Sequence, residues 1–298
     1  MAGRIFRPMG LHGKKEEEGR RSSMKTHQKI LSSLHRRISA SPLAVRAAVK
    51  IRNQANAVVA AHFSRLSGSS DIALNGEGRL AEILAPQAGM FIDVGGNRGD
   101  WTANFLRHAR PCTQGWIYEA NTACASGLRK SFKNNPAIRI REVALSDYSG
   151  EADFFESSAN DQLSSLSAAN AGEGSVRRTT PVTTLDHESA SWGGGNVSFL
   201  KIDTEGHDYF VLRGARGLLR QQRIDVLQFE CNATWRASGT NIFGPAGFLA
   251  QHGYRVMHLR PDGLFSVPFE EFGPDFGYGV WVAFHDGISG SLAPLIRS

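Results

Sequence analysis

The 298 residues are 41% hydrophobic and 21% charged, which suits one large α/β domain or two average ones and excludes a collagen-like chain, a coiled coil or a disulfide miniprotein. No run approaches the ~20 apolar residues of a spanning helix, and the charged stretch Met1–Arg21 lacks the apolar centre of a secretory signal. The formal charge of +6 is uneven: residues 1–70 carry 14 Lys and Arg against three acids, a segment charge of +11, which leaves −5 on the remainder.

Residues 1–25 are charged and nearly free of large apolar side chains, and they read as a disordered basic tail. From 26 to 70 the pattern is helical, with Leu43, Ala47, Ile51, Ala55, Val58, Val59 and Leu66 at three- and four-residue steps. Ser41-Pro42 suits a helix start, serine as cap and proline in the first turn. This basic helical extension offers either a face that packs on the body or a peripheral contact with the inner face of an anionic membrane. Three cysteines, Cys112, Cys124 and Cys231, have no metal-ligand spacing and fit a reducing, cytoplasmic compartment.

The body is expected over 71–286, with 287–298 as a C-terminal tail. Strand and helix patterns alternate along it. Met90–Val94 is a strand, followed by a glycine-rich loop and a helix with Trp101, Phe105 and Leu106 on one side. Gly115–Glu119 is a strand, Asn121–Asn134 a helix and Ile138–Leu145 a strand. Asp153–Glu156 and Arg178–Thr183 read as an inserted antiparallel pair joined by a small-residue loop at 157–175. Val197–Asp203 is a buried strand, Tyr209–Arg220 a helix, Ile224–Glu230 a strand, Ile242–His252 a helix, and Tyr254–Leu259 and Tyr278–Phe284 the last strands. This alternation predicts a doubly wound, mostly parallel α/β sheet, whose ligands bind beyond the carboxyl ends of the strands.

Phe91-Ile92-Asp93-Val94-Gly95-Gly96-Asn97-Arg98-Gly99 follows a strand and opens a helix. Its spacing is not the G-x-G-x-x-G of nicotinamide enzymes, which disfavours a dehydrogenase. An acid at the strand end, Asp93, suits a ligand with a cationic amino group, such as the methionine end of S-adenosylmethionine. Glu119 comes 26 residues later at the end of the second strand, where an acid can accept hydrogen bonds from both ribose hydroxyls. A tight structural turn and a solvated glutamate are the plainer alternatives.

Asp203-Thr204-Glu205-Gly206-His207-Asp208 follows a buried strand, at the carboxyl end where such sheets bind ligands. Were a bound S-adenosylmethionine to methylate a hydroxyl, a base or a metal would have to take its proton, and Asp203, Glu205 and His207 are the candidates. Phe229-Glu230-Cys231-Asn232 ends the next strand. Asp203 and Glu230, with Asn232 or a water, could share a divalent cation such as magnesium, or simply hold loops by accepting backbone N–H groups. Ser164-Ser165-Leu166 lies in the inserted loop and reads either as a lid over the acceptor or as a surface loop.

The blocks Phe91–Thr102, Val143-Ala144-Leu145-Ser146-Asp147, Ser164-Ser165-Leu166 and Phe199-Leu200-Lys201-Ile202-Asp203-Thr204-Glu205-Gly206 occur in this order. In that order the sequence resembles the FkbM-type methyltransferases over roughly residues 78–285. The resemblance implies the class I methyltransferase fold, a seven-stranded sheet of order 3-2-1-4-5-7-6 with strand 7 antiparallel, and S-adenosylmethionine as cofactor. It carries cofactor binding to Asp93, Gly95, Gly96, Asn97, Gly99, Glu119, Asn121 and, at the adenine amino group, Asp147. Members commonly have alanine at the position of Gly96, which suggests a harmless difference. The family's association with sugar and polyketide-like hydroxyls implies O-methylation of a small molecule or glycan. An RNA methyltransferase using the basic arm is the competing enzyme, but the body is acidic and no Asn/Asp-Pro-Pro-aromatic block follows the fourth strand, so no nucleic acid is expected as partner. A non-catalytic cofactor-binding scaffold is the competing non-enzyme.

Overall fold

A computed structural model describes residues 28–29, 31–156, 164–167, 170, 174–232, 234–237, 239–272 and 277–297. The expected tail at 1–25 and most of the loop at 157–175 lie outside these residues. The chain divides into two compact units, Met1–Asn56 and Ala57–Ser298. The boundary falls earlier than the expected 70/71, because Phe63 and Ser67 are buried in the second unit.

In the first unit residues 31–39 are helical, and helix α1 (Pro42–Ser67), whose residues from Ala57 onward belong to the second unit, starts at the expected proline. The residue before a proline resists helical geometry, so the chain breaks at Ser41. Among the described residues no helix is long and apolar enough to cross a membrane.

The second unit is built on a nine-stranded sheet. In chain order its elements are α2 (Glu77–Leu84), β1 (Met90–Val94), α3 (Asp100–Leu106), β2 (Gln114–Tyr118), α4 (Thr122–Ser131) and β3 (Ile138–Arg141). A small sheet follows, β4 (Ala144–Leu145), β5 (Gly150–Glu156) and β6 (Val176–Thr183). Then come β7 (Val197–Ile202), α5 (Asp208–Arg213), α6 (Arg216–Arg220), β8 (Ile224–Cys231), α7 (Phe243–Gln251), β9 (Tyr254–Arg260), β10 (Gly263–Phe265), β11 (Gly279–His285) and β12 (Ile296–Arg297). The large sheet runs β3-β2-β1-β7-β8-β11-β9-β10-β12. β11 is antiparallel to both of its neighbours.

The expected seven-stranded sheet is thus two strands short. β10 and β12 extend it past β9, through a hairpin at Pro261-Asp262-Gly263 and a parallel pairing of Leu264 with Ile296. Residues 287–298, expected as a tail, supply that last strand and bury Leu292 and Leu295. The expected strand Ile138–Leu145 is two strands in different sheets: β3 pairs with β2, and β4 pairs with β6. Alternation alone does not reveal that the chain changes sheets at Glu142-Val143. The expected helix Tyr209–Arg220 breaks at Gly214, where a Cβ would stand 2.0 Å from the Ser146 carbonyl oxygen.

Ile92, Val94, Leu200, Ile202, Leu227 and Phe229 point to one face of the sheet, and Phe91, Ile117, Phe199 and Val226 to the other. On that second face, toward the carboxyl ends, apolar side chains give way to a polar row. Asp93 is in register with Lys201, and Lys201 with Gln228, across β1, β7 and β8. All three are buried.

Candidate active site

β1 ends in a loop tied to the end of β2. Gly95 and Gly96 both donate their N–H to the Tyr118 carbonyl, at 2.9 and 3.3 Å. Gly95 has φ 79°, and a Cβ there would stand 1.8 Å from the Asp203 carbonyl oxygen. Glycine is therefore required, both by the left-handed backbone and by the close approach of the β7 end. At Gly96 a Cβ would meet the Ile117 methyl at 2.2 Å. The expectation that alanine is harmless there does not hold in this packing. Gly99 caps α3 at φ 87°.

Glu119 joins the loop to the next helix. Its Oε2 accepts the Asn97 N–H and its Oε1 the Asn121 N–H, both at 2.7 Å. Burial raises its pKa, against the pull of those two N–H groups. Asn121 is the N-cap of α4, accepting the Cys124 N–H at 3.0 Å.

Two cavities meet at this loop. The first is a cleft of about 630 Å³, counting the solvent-filled space at its mouth, between Glu119 and an apolar slot of Val143, Leu145, Phe154 and Leu166. His207 lines it from the β7 side, with Nε2 2.9 Å from the Ser146 hydroxyl and its ring stacked on Phe210 at 4.6 Å. Burial lowers the His207 pKa to about 4, so the ring is neutral at pH 7. Ser164, Ser165 and Leu166 also line this first cavity. Ser165 is held by a two-way backbone pairing with Phe155, and its hydroxyl donates to the Glu205 carbonyl at 3.3 Å.

The second cavity is a cleft of about 1100 Å³, its solvent-filled mouth included, on the other side of the loop. Glu77, Trp101, Lys201, Glu230 and Tyr278 are among its lining residues. Gly95, Asn97, Asp203 and Glu205 line both cavities. Two of these four hold strained backbone, Asn97 at φ 45° and Glu205 at φ 51°, a cost that clusters at functional sites. Burial and the neighbouring Asp203 push the Glu205 carboxyl up to about 8. The same two causes take Asp208 up to about 7 and raise Glu230.

Beneath the wall shared by both cavities lies the polar row. Lys201 Nζ stands 3.2 Å from Asp203 Oδ2 and 3.7 Å from Asp93 Oδ1. Thr102 donates to Asp93 Oδ2 at 2.6 Å. Gln228 donates its amide N–H to Glu77, which α2 brings over the row. Burial opposes the Lys201 charge, but the carboxylates of Asp203, Asp93 and Glu77 outweigh it and raise its pKa.

These placements sort the expected site residues. Gly95, Asn97, Glu119, Asp203 and Glu205 are brought together at the cavities. Asp93 lines neither cavity; it is fully buried and engaged by Thr102 and Lys201. Asp147 also lines neither, being paired with Arg213 at 2.8 Å. His207 lines the first cavity and not the second, which separates it from Asp203 and Glu205. Glu77, Trp101, Lys201 and Tyr278 were not among the expected site residues. Lys201 alone had a signal, a charge inside the otherwise buried apolar strand β7.

The donor set does not fit the expected divalent cation. Asn232 turns its Nδ2–H to Glu230 Oε1 at 2.8 Å and gives its oxygen to Thr234, while Lys201 already neutralises Asp203. No group of three or more His, Cys, Asp or Glu among the described residues is arranged to hold a metal ion.

The fold and this loop define a class of α/β domain, and comparison supplies the family. The methyltransferase FkbM domain matches residues 93–256. The chain belongs to the FkbM methyltransferase family. Among solved structures, the methyltransferase FkbM from Methylobacillus flagellatus KT is similar at TM-score 0.43 and 12% identity, over 65% of this chain and 43% of that one. This chain thus spans less than half the length of that protein. The O-methyltransferase TomG from Streptomyces achromogenes, in complex with S-adenosylmethionine, has TM-score 0.38 and 12% identity over 78% of this chain and 89% of its own. An O-methyltransferase from Bacillus cereus, in complex with S-adenosylhomocysteine, has TM-score 0.38 and 12% identity over 78% and 88%. No curated protein matches the sequence.

Proposed function

We propose that this protein is an S-adenosylmethionine-dependent O-methyltransferase acting on a hydroxyl of a small molecule or glycan. The observation that carries this reading is the meeting of two cavities at one four-residue wall, Gly95, Asn97, Asp203 and Glu205. The first cavity suits adenosine. Its slot is apolar, and Glu119 has carboxylate lone pairs left after two backbone N–H bonds, enough for ribose hydroxyls. The second cavity admits the acceptor from the opposite side.

When bound, S-adenosylmethionine supplies a methyl on a positively charged sulfur. The chain's residues then have two tasks. Asn97 and Glu119 fix the loop so that donor and acceptor oxygen lie in line, and orientation is the largest part of such catalysis. Glu205 takes the hydroxyl proton. In the ligand-free chain it keeps its own proton up to about pH 8, and a nearby positive charge favours its ionised form. A carboxylate of raised basicity is suited to be a general base near neutral pH. Asp203, held by Lys201, orients the shared wall. His207, neutral and on the adenosine side, contributes to the cofactor wall.

Calorimetric titration of the full chain with S-adenosylhomocysteine, and separately with NAD, tests the reading. Binding of the first with no binding of the second is expected. NAD binding without S-adenosylhomocysteine binding would overturn it.

A further inference from the structure

The interior of the second cavity has more acidic groups than basic ones. Glu77, Asp203, Glu205 and Glu230 line it, and Lys201 is the cation among them. Lys201 is already held between Asp203 and Asp93. Arg98 and Asp100 also line the cavity, but both are exposed at its rim and offset each other.

Glu77 and Glu230 lie outside the wall shared with the first cavity. Glu230 Oε1 takes the Asn232 amide N–H at 2.8 Å, whereas Oε2 receives no hydrogen bond from the described residues. Trp101, whose ring already faces Lys201 Nζ at 5.9 Å, and Tyr278 line the same cavity, and aromatic faces attract cations. Among the described residues the Tyr278 phenol is not engaged in a hydrogen bond, and burial together with Glu230, Glu77 and Asp203 keeps it neutral.

We propose that the methyl acceptor carries a protonated amine beside the hydroxyl to be methylated, received by Glu230 and Tyr278. Amino alcohols and amino sugars are the class that fits. This rests on the methyl-transfer reading above. Beside a neutral polyol these buried carboxyl groups keep the protons that burial and mutual repulsion favour, whereas a bound ammonium favours their ionised form and gains a charge-assisted hydrogen bond that the polyol cannot make. S-adenosylmethionine itself brings a net charge of about +1 to the shared wall from its sulfonium, ammonium and carboxylate groups. That leaves Glu77 and Glu230, on the far side, for a second cation.

The test uses the full chain loaded with S-adenosylhomocysteine. Calorimetry at pH 6.5 follows a series of amino alcohols and amino sugars, each paired with its N-acetyl derivative and with the hydroxyl compound lacking nitrogen. Free amines should bind about 10- to 100-fold more tightly than their neutral partners, the worth of a charged hydrogen bond. Glu230→Gln should abolish that preference and leave S-adenosylhomocysteine affinity unchanged. Tyr278→Phe should keep the preference, because the ring remains. Equal binding of charged and neutral partners, binding by none of the series, or a preference that survives Glu230→Gln would overturn the proposal. Failure of S-adenosylhomocysteine itself to bind would instead overturn the reading on which it rests.

Discussion

The two cavities are made of different materials. The first is built from backbone: Glu119 collects two loop N–H groups, the glycines supply turns, and apolar side chains form the slot. The second is built from buried charge: a lysine and at least five carboxylates share one desolvated space behind and around the wall. The backbone scaffold depends on one titrating group, Glu119. Charged scaffolds are held by pairing, and their stability depends on protonation.

The largest effect should follow from breaking the charged scaffold. Lys201→Met leaves Asp93 and Glu77 without their cation. Removing one partner of a buried pair costs about 3–5 kcal/mol, so the urea midpoint at pH 7 should fall sharply. A midpoint equal to that of the unchanged protein would mean that the carboxylates are neutral and Lys201 is not what holds them.

The wall comes next. Gly95→Ala must accommodate a Cβ 1.8 Å from a backbone oxygen at φ 79°. Overpacking and left-handed strain together should cost about 3 kcal/mol and abolish S-adenosylhomocysteine binding. Retained affinity would place the cofactor elsewhere.

The charged scaffold should also show a pH dependence. Glu205 and Asp208 titrate at about 8 and about 7 in the folded chain, against ordinary carboxylate values near 4 when unfolded. Between those limits the folded state binds more protons than the unfolded state. Ligand-free stability should therefore fall as pH rises from about 5 to about 8. The raised pKa values of Glu77, Asp93, Glu119 and Glu230 work in the same direction. Denaturation across this range, repeated with Glu205→Gln, should show a shallower decline in the variant. A stability that rises with pH would contradict the arrangement.

In the first cavity, Glu119→Gln replaces an acceptor oxygen with an amide that faces a loop N–H. Cofactor affinity should weaken by about 1–3 kcal/mol, measured by calorimetry with S-adenosylhomocysteine. His207→Ala should have the smallest effect, about 1 kcal/mol on that affinity. A much larger loss of turnover than of affinity would return His207 to the role of base.

The difference between the cavities also decides what the sequence made legible. The backbone-built cavity has a local signature: a strand, a glycine loop and an acid 26 residues on can be read in order. The seven central strands were legible for the same reason, because each is a short apolar run between breakers. The charge-built cavity is assembled from distant segments. Glu77 comes from α2 before the first strand, Tyr278 from just before β11, and neither sits in a motif. Asp93 could be read as an acid at a strand end, but not as one facing inward, because that depends on Thr102 and Lys201 packing over it. β10 and β12 are too short to have a period. The break at Gly214 depends on a carbonyl from the distant Ser146.

The most direct measurement is a crystal structure of the full chain with S-adenosylhomocysteine. The account predicts both ribose hydroxyls on Glu119, the adenine in the slot of Val143 and Leu145, and the sulfur at the wall of Gly95, Asn97, Asp203 and Glu205, open to the second cavity. A ligand lying wholly within the first cavity, or one whose sulfur points away from Asp203 and Glu205, would contradict it.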